Sequence, residues 1–374
     1  MGSAMIRDGF VGVFRAIAAD RAALLLLVGS AILYSFFYPA AYSGEVVTRL
    51  PIVVVDLDHT GSSRSLLGKL PSLQQAALVG GLGSPQEAFE WIKERRADAA
   101  IVIPEGYERH ILRGGQGTIA LYGNGAYLLR SSTSLGSIAS AIAVVGREAG
   151  LDQAVAAGAP APAPLALVQR PLFNTREGYG STVVPGVTFL IIHQTLLMGL
   201  ALLAGTIREQ HGRRRFNPGE LLGIALAFLV IGLCDVAYYT GFVFWFQDYP
   251  RAQASPITLT IAAITFVSAT IAGALALASF FKTRERPVQL WIVTSLPIFF
   301  LSGLSWPAEA TPAWLAYVAR LLPTTAGIHL MVGINQMGAS LRQMHLEIAN
   351  LLVLTLIYGA IAYARFVSAR QSIE

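Results

Sequence analysis

The stretch Val183 to Ala204 reads VVPGVTFLIIHQTLLMGLALLA, 22 residues without a single Lys, Arg, Asp or Glu. A bilayer core about 30 Å thick needs roughly 20 such residues as a helix, because every backbone amide must find its partner inside the helix once water is gone. Five further runs read the same way: Ala22 to Tyr38, Leu221 to Phe246, Ile257 to Phe281, Val288 to Ser305 and the weaker Ile348 to Phe366. The composition of the 374 residues agrees, with 54% hydrophobic and 13% charged against about 25% charged in a soluble domain, and a mean hydropathy of +0.56. A single soluble globule is excluded. The predicted fold class is an α-helical polytopic membrane protein with six transmembrane helices and an inserted extracytoplasmic α/β domain. A secretory signal ending at Ala41, Tyr42 and Ser43 is set aside, because the first run exceeds the usual 7 to 15 apolar residues and about twenty residues precede it.

Lys and Arg placement sets the orientation, because cytoplasmic loops retain positive charge. Arg7, Arg15, Arg21, Arg208, Arg213, Arg214, Arg215, Lys282, Arg284, Arg286, Arg365 and Arg370 fall on one side of six alternating spans, and only Arg251, Arg320 and Arg342 in the short loops opposite. Both termini are therefore predicted to be cytoplasmic, in the inner membrane of the cell, and residues 39–180 extracytoplasmic. That outer segment carries twelve basic and twelve acidic residues, so the net charge of +5 and the pI near 9.4 belong to the membrane flanks. A nucleic-acid partner loses its main support. Before the first span, Ile6, Phe10, Val13, Phe14 and Ile17 form a helical stripe, which suits either a helix in the cytoplasmic interface of residues 1–21 or one packed against neighbouring spans.

Residues 39–180 alternate strand and helix signals. Pro51 to Leu57, Ala76 to Val79, Ala99 to Ile103 and Thr118 to Tyr122 read as strands. Ser62 to Leu70, Pro85 to Arg96 behind the Ser84–Glu87 capping pair, and Leu128 to Leu151 read as helices. The Ala-, Gly- and Pro-rich run Ala154 to Pro164 is expected to be a flexible excursion.

Candidate chemistry is sparse. Asp56-Leu57-Asp58-His59-Thr60 has the D-x-D-x-T form of Mg²⁺-dependent phosphatases, where one Asp attacks and the next acts as an acid. No later acidic pair supports a metal, and a strand-to-helix turn capped by Asp58 or Thr60 explains the same residues. Gly61 to Lys69 lacks phosphate-loop spacing, so no nucleotide site is expected. The six histidines show no ligand spacing and Cys234 stands alone, so no metal centre or disulfide is expected. Asp235 lies midway along the third span, where an ionised group costs at least about 2.5 kcal/mol. His193 and Gln194 of the second span are its expected partners, either on a translocation path or as a packing pair. Residues 205–220 form a basic loop between two spans, and residues 306–345, broken by Pro307, Pro312 and Pro323, read as short interfacial or re-entrant helices.

In this order the segments resemble the permease subunit of type 2 ABC exporters, in the branch associated with drug and lipid efflux. The resemblance covers nearly the whole chain. It rests on Leu50 to Asp58 followed by Ser63-Arg64, on Ala99 to Pro104 with Tyr107-Glu108-Arg109 and Arg113-Gly114, and on Leu172-Phe173-Asn174 leading to Val184-Pro185-Gly186. It continues in Ser302 to Pro307, Pro312-Ala313-Trp314 and Leu322 to Thr325. It implies that Arg208, Glu209, Gln210, His211, Gly212 and Arg213 couple to an ATPase, with Arg213 standing where the family carries threonine. It implies an outer gate at Ser302, Trp306, Pro307, Trp314 and Pro323. The implied machine joins an ABC ATPase subunit, which binds the ATP and Mg²⁺, to two permeases, the second being this chain or a homologue; a periplasmic adaptor is a further possible partner. The expected function is ATP-driven export of a lipid or drug-like amphiphile, with no catalytic site in this chain. Two other readings remain open, a membrane-anchored phosphatase using Asp56 and Asp58, and a non-transporting receptor or anchor.

Overall fold

The computed structural model describes residues 2–44, 47–113, 115–156, 173–174, 178–212, 215–251, 254–306 and 310–367. Arg213, Arg214, Pro307, Arg370 and most of the Ala/Gly/Pro-rich run lie outside them. The chain divides into two units, residues 46–169 and the remainder. It opens with α1, Gly2–Ala19, and α2, Arg21–Ala41, whose second turn widens to π geometry over Leu25–Gly29. Asp20 separates them as the N-cap of α2, its carboxylate accepting from the Ala22 and Ala23 amides.

The unit 46–169 follows as β1 (Leu50–Asp56), α3 (Gly61–Lys69), β2 (Ala76–Gly81), α4 (Pro85–Lys93), β3 (Ala99–Ile103), α5 (Tyr107–Leu112), β4 (Ala120–Gly123) and α6 (Leu128–Ala156). The sheet order is β2-β1-β3-β4; β1 runs parallel to β2 and β3, and β4 is antiparallel. Central β1 is covered on both faces, which is why it is a continuous β-branched run instead of an alternating one. Ile52 and Val54 pack with Leu66, Ile101 and Ile138, while Val53 and Val55 face Ala88, Ala100 and Val102. A bidentate pair from Arg130 to Asp98, 2.7 Å at each contact, fastens α6 to the start of β3. Helix α6 continues to Ala156, so the expected excursion begins no earlier than the next residue: alanines 154 and 156 favour helix and no Pro intervenes.

The second unit continues with α7 (Tyr179–His211), α8 (Pro218–Phe246), α9 (Pro256–Ala278), α10 (Arg286–Leu301), α11 (Ala313–Arg320), α12 (Pro323–Asn335) and α13 (His345–Phe366). Among the described residues five helices, α2, α7, α8, α9 and α13, are long and apolar enough to cross a bilayer. The fifth expected span ends four residues early: α10 has 16 residues, about 24 Å of helix, because Ser302 and Gly303, the latter at φ +78°, stop it. Helices α11 and α12 meet at a bend of 83°, the broken geometry that Pro323 requires.

Helices α7 and α9 form the centre, with 78% and 72% of their most apolar stretch buried against 17% for α13. Phe189 and Phe266 meet edge to face there. Helix α1 lies along the start of α8, so closely that a side chain at Gly223 would strike the Ile6 carbonyl. Of its stripe, Val13 and Ile17 are buried and Phe14 remains exposed. Packing against a neighbouring span is therefore what most of that face does.

Candidate functional site

The basic end of the membrane unit is held by side chains that tie five helix ends together. Helix α7 runs on through Arg208 and Glu209 to His211, so the expected loop 205–220 is helical for its first seven residues. No Pro falls between Ala204 and His211 and the single Gly205 is tolerated inside the helix, which Gly212 at φ +70° ends. Arg208 donates to the Ser279 carbonyl at 3.3 Å and to the Phe281 carbonyl, both just past the end of α9. Arg365, near the end of α13, reaches the same Ser279 carbonyl at 3.2 Å and stacks on the Phe280 ring. These carbonyls have no partner in their own helix, and two guanidiniums satisfy them where the helix dipole is negative.

The next residues are gripped as firmly. The Arg284 amide donates to Glu209 Oε1 at 2.8 Å, and the Arg284 guanidinium pairs with Asp20 at 2.8 Å. Thr206 donates to the other Asp20 oxygen at 3.4 Å. Gly205 permits the approach, since a Cβ there would stand 2.8 Å from the Arg284 Cα. Burial pushes the Asp20 carboxyl up, but the Ala23 and Ala22 amides and the Arg284 guanidinium outweigh it and hold it below the usual carboxylate range. The Phe216 amide donates to the Phe366 carbonyl, bringing the start of α8 here too.

Direction follows from these contacts. Helices α7, α9 and α13 end at this cluster, while α2, α8 and α10 begin at it. Six segments thus alternate in direction at this end, of which α10, with 16 residues, is too short to count among the five spanning helices. Of the coupling residues named from the sequence, Arg208 and Glu209 turn inward to the 279–284 segment, Gln210 lines a cavity of about 500 Å³ beside Asp20 and Arg284, and His211 and Gly212 are exposed.

Deeper in the bundle, α7, α9, α10, α12 and α13 line a half-open cavity of about 450 Å³. Its wall is largely apolar, with Leu197, Trp291 and Pro297 among the lining residues and His193, Thr294 and Tyr358 as polar points. His193 is buried and shares a hydrogen bond with Thr324 at 3.3 Å. The expected pairing with Asp235 is not made: neither His193 nor Gln194 bonds to it, and Asp235 Oδ2 is buried without a hydrogen-bond partner among the described residues. Asp235 instead stands near Tyr239, whose hydroxyl donates to the Ala31 carbonyl of α2 at 2.7 Å. Hydropathy placed both residues at mid-span but carried no information about which faces meet.

The expected gate residues are dispersed. Ser302 is buried, Trp306 and Trp314 are exposed, and Pro323 opens α12 and lines the 450 Å³ cavity. Thr325 donates to the Leu301 carbonyl at 3.1 Å, joining the end of α10 to the start of α12. Asp20 and Thr206 were not singled out from the sequence, and Arg284, Arg365 and Thr324 entered its reading only as orienting charges or within a resembling segment. Only Asp20, a capping residue directly before an apolar run, left a readable signal.

In the α/β unit the aspartates serve the fold. Asp56 accepts from the Asp58 and His59 amides and from Ser63. Asp58 accepts from the Gly106 and Glu108 amides and from Thr60. Thr60 caps α3, with Ser63 completing the capping box. Burial raises the Asp58 carboxyl, and the Thr60 hydroxyl and those amides more than reverse it, keeping it below its ordinary value. A carboxylate so fully engaged is a poor nucleophile, and the phosphatase reading has no free oxygen pair at this turn.

Residues 21–364 match the family described as ABC-2 family transporter protein. The chain is 24% identical over 355 residues to the "Probable multidrug ABC transporter permease YbhR" of Escherichia coli (strain K12), covering 92% of this chain and 93% of that protein. The protein of the same name from Escherichia coli O157:H7 matches equally.

Proposed function

The chain belongs to the ABC-2 family of transporter proteins, and from that premise we propose that it is the permease of an exporter energised by a separate ABC ATPase. It works paired with a second permease, this chain or a homologue, and moves a lipid or drug-like amphiphile out of the inner leaflet or cytoplasm. The basic end faces the cytoplasm, as the distribution of Lys and Arg favours. Residues 39–180 then lie outside, where they present a surface for a periplasmic adaptor.

What supports this reading most is the continuity between the gripped segment and the cavity wall. Arg208 and Glu209 hold residues 279–284, and the same stretch of chain continues through Phe280, Pro287, Trp291 and Thr294 into the wall of the 450 Å³ cavity. An ATPase that displaces the end of α7 pulls on the root of α10, and α10 moves against α9, α12 and α13. The volume falls within the 300–1,000 Å³ of small-molecule sites, and the apolar wall suits the hydrophobic part of an amphiphile. The Escherichia coli relative is named a probable multidrug permease, which favours the drug-like class.

Co-expression with an ABC ATPase and reconstitution into proteoliposomes tests the proposal. The expected result is ATP-dependent movement of a fluorescent amphiphile that stops without ATP. Failure of every ABC ATPase of the cell to co-purify with the chain would overturn it.

A further inference from the structure

The two ends of the half-open 450 Å³ cavity differ, and the difference narrows the class of amphiphile it takes, on the premise that this cavity holds the transported molecule. Its α10 wall runs from Pro287 to Pro297, ten residues and about 15 Å of helix. No Asp, Glu, Lys or Arg lines it, so a charged head finds no counterion inside, while a hydrocarbon tail is favoured there. Spread along that wall, the volume leaves about 30 Å² of cross-section, enough for one tail and too little for two side by side.

Positive charge converges at the end nearest the Asp20–Arg284 cluster. The Ser279 carbonyl accepts from Arg208 Nη1 at 3.3 Å and from Arg365 Nη2 at 3.2 Å, so two guanidiniums meet at one oxygen. The negative end of α9 offsets about half a charge of the two. Arg365 also lies 3.9 Å from the ring centroid of Phe280, a residue of the cavity wall, and one helical turn beyond Ile361 of the same wall. Among the described residues Arg365 belongs to no ion pair. Lys282 and Arg286 are exposed on the segment that leads into α10, Arg286 directly before the lining Pro287. Glu285 is the one acid between Ser279 and Pro287, and the Arg284 charge there is already matched by Asp20. A cleft bordered by one sign of charge and walled by apolar groups concentrates ions of the other sign.

We propose that the cavity selects amphiphiles with a single hydrocarbon tail and an anionic head, a phosphate or a sulfonate. The tail lies along α10 toward His193, and the head stays at the mouth, in the field of Arg208, Arg365, Lys282 and Arg286. A cationic head on the same tail is held against that field, and a zwitterionic head falls between the two.

Trp291 lines the cavity and reports entry of the tail. The purified full chain, in uncharged maltoside micelles without any ATPase, is titrated with four probes that share one nitroxide-labelled tail: a lysophosphatidic acid, an alkyl sulfonate, a lysophosphatidylcholine and an alkyltrimethylammonium. Fluorescence quenching is read as the difference between wild type and Trp291→Phe, against the mole fraction of probe in the micelle. The two anions are expected to bind at least about tenfold more tightly than the cation, with the phosphocholine between, and the spread should narrow with added salt. The tighter of the two anions tells a lipid-derived phosphate from a free strong acid. Arg365→Gln, which keeps a donor for Ser279, and Arg286→Gln, at an exposed position, are each expected to weaken the anions about threefold to tenfold and to leave the cation unchanged or tighter. Equal affinity for anions and cation, or a loss in both variants that is the same for every head, would overturn the charge selection and leave the cavity standing as the transport site. Absence of Trp291 quenching by all four probes would overturn both.

Discussion

Arg284 and Asp20, 264 positions apart, form an ion pair at 2.8 Å that joins the segment before α10 to the N-cap of α2. Asp20 has two duties there, capping a helix and anchoring a guanidinium. Asp20→Ala is expected to lower stability by about 1–2 kcal/mol, most of it from the lost cap, because the Arg284 side chain is 36% exposed and its pair is screened. Asp20→Asn keeps the cap and should cost less. The carboxyl is held below its ordinary value of 3.8, so its contribution is fully present above that pH and is lost as pH falls through the lower folded value. Melting curves in detergent should show a constant gap between wild type and Asp20→Asn from pH 7 to about pH 5 that closes below about pH 4; a gap growing on acidification would contradict the assignment.

His193 and Thr324 present the opposite case, two buried polar groups whose only described hydrogen-bond partner outside their own helices is each other. His193→Leu leaves the Thr324 hydroxyl, 0% exposed, without an acceptor across the interface, a loss of about 1–3 kcal/mol. Thr324→Val in that background is expected to recover much of it. Denaturant titration of the two single variants and the double variant reads the coupling directly, and additive losses would show that the pair does not interact.

The 450 Å³ cavity predicts a separation between binding and motor function. Thr294 is half-buried on its α10 wall, so Thr294→Trp occupies the space from the edge without displacing core side chains. Amphiphile transport in proteoliposomes should fall about tenfold while ATPase docking is retained. Unchanged transport would place the path elsewhere.

Much of this architecture is legible from transfer energetics alone. Val183 to Ala204 has no soluble alternative, and the β-branched run Ile52 to Val55 fits only a strand covered on both faces. The turn at Asp56 and Asp58 was readable in both its catalytic and its capping sense, and the amides of Gly106 and Glu108, some 50 positions on, decide between them. The clasp of Asp20 on Arg284 was not legible, because a basic residue beside a span is explained equally well by orientation. Nor was the separation of Asp235 from His193, since a helix apolar on all sides gives no sign of which face meets which neighbour. The shortness of α10 is a local matter of Ser302 and Gly303, which the hydropathy of Val288 to Ser305 conceals.

Glu209 carries the central claim, since its carboxylate holds the Arg284 amide at 2.8 Å and so links the end of α7 to the root of α10. The decisive measurement is simultaneous recording of ATP hydrolysis and amphiphile export by proteoliposomes containing the permease–ATPase complex with Glu209→Ala. The account predicts that hydrolysis persists within about twofold while export falls at least tenfold. Export that keeps pace with hydrolysis in this variant would contradict it.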